Sequence, residues 1–108
     1  MSDQRPIQVH MQALRYTFRS GVTRPLEWRT IQLQQLDRML TECETEFEEA
    51  LAVDLGKSPV EAQLTEIGFL RTEIAYALKH LATWMKPERV PAPAVVQPAR
   101  AWVRPEPL

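Results

Sequence analysis

The sequence predicts a mainly α protein, with four helices followed by a proline-rich arm that carries one strand. Three observations carry this. Apolar residues recur at three- and four-residue spacing through most of residues 7–85, the period of an amphipathic helix. Residues suited to stopping and starting helices punctuate that pattern around 20–25 and again around 54–61. Six of the nine prolines (Pro87, Pro91, Pro93, Pro98, Pro105, Pro107) lie beyond residue 86. No helix crosses that spacing, because each Pro removes a backbone donor and restricts the residue before it. Composition therefore divides the chain into a helical segment, 1–86, and an arm, 87–108.

The first helix is expected over about 7–19, with Val9, Leu14 and Phe18 near one face and Met11 and Ala13 beside them. Ser20-Gly21 ends it, since Gly tolerates the left-handed conformation a helix terminus often takes. Pro25 is placed in the first turn of the next helix. From Leu26 to Leu55 the helical pattern persists, with Leu33, Leu36 and Leu40 forming one stripe and Phe47, Leu51 and Leu55 another. Thr41-x-x-Glu44 has the form of a capping box, which divides this stretch into helices over about 26–41 and 44–55. One continuous kinked helix is the alternative.

The strongest local signal runs from Asp54 to Glu61. Gly56 reads as the residue just past a helix; Ser58, Pro59 and Glu61 read as N-cap, N1 and N3 of the next. That fourth helix is expected over about 59–85, with Val60, Leu64, Ile67, Ile74, Leu78, Leu81 and Met85 recurring along it and Leu70 filling the gap. Gly68 inside it costs about 1 kcal/mol against Ala, which points to the close approach of another backbone. In the arm, residues 99–104 form the only strand expected, bounded by Pro98 and Pro105. A strand needs a partner, and the sequence displays no second one.

With Lys+Arg 13 against Asp+Glu 14, the net charge of -1 argues against a nucleic-acid partner held by phosphate electrostatics. One cysteine excludes an internal disulfide and a multi-cysteine metal site. No apolar run reaches the roughly 18 residues of a membrane span, and the first residues lack the apolar core of a secretory signal. A cytoplasmic location is the expectation.

The residues that could carry chemistry each have a plainer reading. Cys43 shares the stripe of Leu36, Leu40, Phe47 and Leu51 and sits among glutamates that disfavour a thiolate, so packing is its expected role. Gly56-Lys57-Ser58 looks like the end of a phosphate loop, but the glycine that motif needs at position 51 is Leu, so a helix cap is the better reading. Glu42, Glu44, Glu46, Glu48 and Glu49 read as a solvated helix face, which Arg15, Arg19, Arg24 and Arg29 could pair with from another helix. His10 and His80 are single, on different helices, with no triad partners in the pattern. Trp28 and Trp84 are expected to cover core edges, whereas Trp102 needs something to pack on. The residues alone supply no catalytic, cofactor-binding or metal site.

Beyond these readings, the stretch from Thr17 to Leu108 resembles the N-terminal part of the aldehyde dehydrogenase superfamily, nearest its class 3-like branch. The residues that carry the resemblance begin with Ser20-Gly21-Val22-Thr23-Arg24-Pro25-Leu26 and Ala50-Leu51-Ala52-Val53-Asp54-Leu55-Gly56-Lys57-Ser58. They continue through Glu61-Ala62, Thr65-Glu66-Ile67-Gly68-Phe69, Glu73-Ile74 and Ala77-Leu78. Trp84-Met85-Lys86-Pro87 and Arg104-Pro105-Glu106-Pro107-Leu108 complete the series.

The resemblance implies that this chain is a fragment of an α/β aldehyde dehydrogenase fold whose cofactor-binding domain would follow Leu108. It implies an intact parent that uses NAD or NADP to oxidise aldehydes to acids through a cysteine thiohemiacetal, hydride transfer and thioester hydrolysis. The family's nucleotide site, general-base Glu and nucleophilic Cys all lie past that point; neither Cys43 nor Glu66 matches the family motifs. The implied partner is the remainder of the dehydrogenase, in a homo-oligomeric parent, and the unpaired strand 99–104 would find its neighbours there. The alternative is a free-standing helical protein-interaction module.

Overall fold

The computed structural model describes residues 6–107. Helix α1 spans Ile7–Arg19, α2 Leu26–Glu42 and α3 Glu44–Leu55. One uninterrupted helical rod then follows in three stretches: α4 (Pro59–Ala62), a π-helical turn (Gln63–Ile67) and α5 (Gly68–Trp84). The arm holds strand β1 (Glu88–Val90), a 3-10 turn (Ala94–Val96) and strand β2 (Ala101–Val103).

The core forms where α2 lies against the rod. Leu40, Ile67 and Ile74 are buried at 3–4% exposure, with Leu33, Leu36, Phe47, Leu51 and Leu78 packed around them. Burying such a side chain contributes about 1.5–3 kcal/mol, so this seam holds the helices together. Asp37 on α2 accepts a hydrogen bond from Arg71 Nε on α5 at 2.9 Å beside the seam. The Arg71 guanidinium is held protonated above its ordinary value by that bond and by the charge of Asp37. Gln63 Nε2 donates to Glu48 Oε1 at 2.9 Å and fastens the rod to α3.

The punctuation works largely as the sequence indicates. Gly21 (φ +78°) and Gly56 (φ +66°) both take the left-handed conformation past a helix end. Ser58 Oγ accepts from the Glu61 N–H at 3.2 Å, and Pro59 opens α4. Pro25 stands one position earlier than expected, in extended conformation just before α2. Its missing N–H is harmless at either place.

Three expectations need correction. The break between α2 and α3 falls at Cys43, but no capping box makes it: Thr41 Oγ1 donates back to the Asp37 carbonyl at 2.9 Å. The fourth helix is not a uniform α-helix over 59–85, because its π turn contains one residue more per turn. That residue shifts the phase of everything upstream. Ala62, five residues before Ile67, takes the buried place, while Val60 and Leu64 are 70% and 72% exposed. Gly68 explains itself here. A Cβ on it would lie 2.6 Å from the Gln63 carbonyl oxygen, so the backbone it must admit is that of its own preceding turn.

The third correction is the strand. It is shorter than 99–104, and it has a partner inside the arm: β1 and β2 pair antiparallel, with Glu88 opposite Val103, Arg89 opposite Trp102 and Val90 opposite Ala101. Pro91, Pro93 and Pro98 lie between the two strands, and beside them a three-residue strand does not show as a pattern. Glu106 near the end of the arm pairs with Arg24 in the α1–α2 turn.

The molecule is elongated, 63 × 37 × 23 Å, with a radius of gyration of 20.3 Å. Helix α1 buries none of its residues: Ile7, Leu14 and Tyr16 are 65–78% exposed, and Val9, Met11 and Phe18 about 40%. An amphipathic helix in this state presents its apolar stripe outward.

Candidate functional site

Each residue with chemical potential has a defined place. Cys43 is half-buried at the α2–α3 junction, where its N–H donates to the Met39 carbonyl at 2.9 Å and its carbonyl accepts from the Phe47 N–H at 3.1 Å. Its backbone therefore carries the helix bend. Lys57 extends over the start of the rod: its Nζ donates to Glu66 Oε1 at 2.6 Å and to Thr65 Oγ1 at 3.0 Å, with the side chain 17% exposed. Gly56-Lys57-Ser58 is thus a helix-to-helix turn clamped by an ion pair, and its ammonium is engaged with a carboxylate rather than free to cradle a phosphate.

The glutamates of residues 42–49 divide their roles. Glu42 pairs with Arg38 one turn earlier at 2.7 Å, which holds that guanidinium protonated above its ordinary value. Glu48 bonds Gln63. Among the described residues no ion pair joins these glutamates to Arg15, Arg19, Arg24 or Arg29, contrary to the pairing expected; Arg24 goes to Glu106 and Arg29 Nε to the Thr23 carbonyl at 2.9 Å. Among the described residues no group of three His, Cys, Asp or Glu could hold a metal ion.

Trp28 is half-buried. Trp84 does not cover the core edge but stands 48% exposed at the end of an aromatic ladder along α5. Tyr76 and His80 approach to 4.0 Å between ring centroids, and His80 and Trp84 to 5.7 Å; His80 Nδ1 lies 2.8 Å from the Tyr76 carbonyl. The ladder follows i, i+4 spacing on the helix face away from Ile74, and that spacing was available in the sequence.

Two surface features stand out as places where another polypeptide could sit. One is an apolar groove of about 540 Å³ lined by Leu40, Phe47, Leu51, Ile67, Phe69 and Leu70. The other is a cleft of about 310 Å³ on the hairpin, lined by Pro87, Arg89, Arg100 and Trp102. Among the described residues no helix is long and apolar enough to cross a membrane.

No protein-family model matches the chain. Individual proteins do. Aldehyde dehydrogenase family 3 member B1 of Bos taurus is 45% identical over 103 residues, which are 95% of this chain and 22% of that protein. The member B1 of Homo sapiens is 41% identical over the same share of each. Aldehyde dehydrogenase family 3 member H1 of Arabidopsis thaliana is 42% identical over 95 residues, 88% of this chain and 20% of its own. The substrate-bound structure of AldH from Staphylococcus aureus superposes on 96% of this chain with a TM-score of 0.91 and 32% identity, covering 23% of that chain. The chain thus spans about a fifth of the length of the relatives it matches. Over nearly its whole length, it is homologous in sequence and fold to the N-terminal part of the family 3 aldehyde dehydrogenases.

Proposed function

We propose that this chain is the N-terminal scaffold of an NAD(P)-dependent aldehyde dehydrogenase and contributes no reacting group to it. Residues 1–86 are its helical unit and 87–108 the arm that leads into a cofactor-binding domain. The observation that carries this reading is the 45% identity over 103 residues to a dehydrogenase of which they make up 22%. The exposed apolar surface of α1 and the apolar groove beside Phe47 and Phe69 support it, since both need polypeptide to cover them. The catalysis belongs to the intact protein, which we assign to the cytoplasm as a homo-oligomer. There a cysteine thiolate would attack the aldehyde, hydride would pass to NAD or NADP, and a glutamate would activate water against the thioester.

Complementation tests it. The chain is co-expressed with the portion of the bovine family 3 member B1 protein that lies outside the matched 103 residues. Aldehyde-dependent reduction of NAD+ or NADP+ should appear only when both pieces are present and co-purify. Failure of the pieces to associate, with no activity, refutes the reading.

The six exposed large apolar residues of α1 favour one second reading, a free-standing helical protein-interaction module. The denatured mass of the natural product in its source cells separates the two. A band several-fold heavier than 12.5 kDa supports the dehydrogenase, and a band at 12.5 kDa supports the module.

A further inference from the structure

Strand alternation sorts the hairpin's side chains onto two faces. Trp102 and its cross-strand partner Arg89 share one face, and Arg100 and Arg104, two residues before and after Trp102, fall on the same one. Glu88, Val90, Ala101 and Val103 take the other. Two adjoining surface clefts gather these side chains: Arg89, Arg100 and Trp102 line one with Pro87, and Arg100, Trp102 and Arg104 line the other together with Ala101 at its margin. Over residues 86–104 the chain has four cations (Lys86, Arg89, Arg100, Arg104) and one carboxylate, Glu88, which is on the opposite face. None of the three arginines has an ion-pair partner among the described residues, although Arg24, Arg38 and Arg71 each have one.

We propose that this face is a docking site for an extended polypeptide segment carrying carboxylates on alternate residues. The inference deepens, and rests on, the reading that the chain works packed against further polypeptide. Three guanidinium groups with no counter-charge among the described residues, gathered around an indole that is 54% exposed, are complementary to an acidic partner. Arg100 and Arg104 are spaced by about 13 Å along an extended backbone. A partner strand has the same two-residue period, so carboxylates four residues apart meet Arg100 and Arg104, and the one midway, facing Trp102, reaches Arg89, the cross-strand partner of Trp102. Guanidinium groups form paired hydrogen bonds to carboxylates, which favours this chemistry over a merely neutral partner. The chain's own net charge of -1 and the glutamates of residues 42–49 weigh against a nucleic acid as the occupant.

The probe is a hexapeptide of alternating Glu and Val, titrated into the 108-residue chain at about 50 mM salt, with a Lys–Val hexapeptide as control. The readout is the indole N–H resonance of each tryptophan, assigned with W102F. The acidic peptide should shift the Trp102 signal saturably and leave those of Trp28 and Trp84 in place. Affinity should fall at least tenfold by about 300 mM salt and tenfold or more in R89Q/R100Q/R104Q. The charge-reversed R100E/R104E chain should instead respond to the Lys–Val peptide.

No saturable shift up to millimolar peptide, or equal binding of both peptides by the original chain, overturns the proposal. So does tighter binding of a single-stranded oligonucleotide, or a Trp102 shift produced by self-association before peptide is added. In the complementation experiment, R89Q/R100Q/R104Q should weaken association of the two pieces. Undiminished association with that variant overturns the docking site while leaving the scaffold reading intact.

Discussion

Replacing Gly68 with alanine should destabilise the protein, against the usual rule for helices. Alanine is favoured over glycine in a helix interior by about 1 kcal/mol, so the same change at an ordinary site stabilises. Here the new Cβ would stand 2.6 Å from the Gln63 carbonyl oxygen and 3.4 Å from its carbonyl carbon. That oxygen accepts the Gly68 N–H and closes the π turn, so it cannot swing aside as a flexible side chain would. Overpacking costs about 1–3 kcal/mol and a weakened hydrogen bond about 1; less the propensity gain of about 1, the net loss is about 1–3 kcal/mol. If the turn instead relaxes to regular α-helix, residues upstream rotate by about 100° and Ala62 leaves the core. Either route lowers the urea midpoint followed by circular dichroism, with the slope unchanged. A midpoint that rises by the equivalent of about 1 kcal/mol would refute the argument.

Other outcomes follow from the same packing. Leu40→Ala removes the buried side chain of α2 and should cost about 2–5 kcal/mol, enough to abolish cooperative urea unfolding of the isolated chain. Ser58→Ala removes the cap on the Glu61 N–H and should lower stability by about 1 kcal/mol in the same assay, with Ser58→Asp restoring most of it. Deleting residues 1–19 should leave the midpoint of the remainder nearly unchanged, because no residue of α1 is fully buried; a fall of more than about 1 kcal/mol would contradict its peripheral place. The pair of Arg71 and Asp37 predicts flat stability across neutral pH. A folded pKa raised for Arg71 adds stability at all pH below the unfolded value and loses it only in strong alkali, so a neutral-range slope must come from other groups. Isothermal calorimetry of the chain alone with NAD+ and NADP+ should give no saturable heat, because the one lysine of the Gly56–Ser58 turn is bound to Glu66.

Helix ends were the most legible part of the fold, for a local reason. The conformations of Gly21, Gly56 and Ser58 depend on residues within a turn of each, so the order of residues reveals them. The core stripe Leu33, Leu36, Leu40, Phe47 and Leu51 was legible because an apolar period survives in any register. The π turn was not. It obeys the same local preferences as α-helix until Gly68 is seen to admit the Gln63 carbonyl, and the misplacement of Val60 and Leu64 follows from that single residue. Strand β1 escaped for a different reason: three residues contain too little alternation to register as a pattern, and its existence depends on β2 thirteen positions away. The candidate surface on the hairpin shares that fate. Arg89 joins Arg100 and Trp102 only through cross-strand register, which no period along one strand can announce.

The drawn-out shape has a hydrodynamic consequence. A compact domain of this length has a radius of gyration of about 13 Å, and this one has 20.3 Å. A single copy will therefore diffuse slowly and elute from a sizing column ahead of a spherical standard of 12.5 kDa. Early elution is the signature of its axial ratio, and light scattering at the peak should return the mass of one chain.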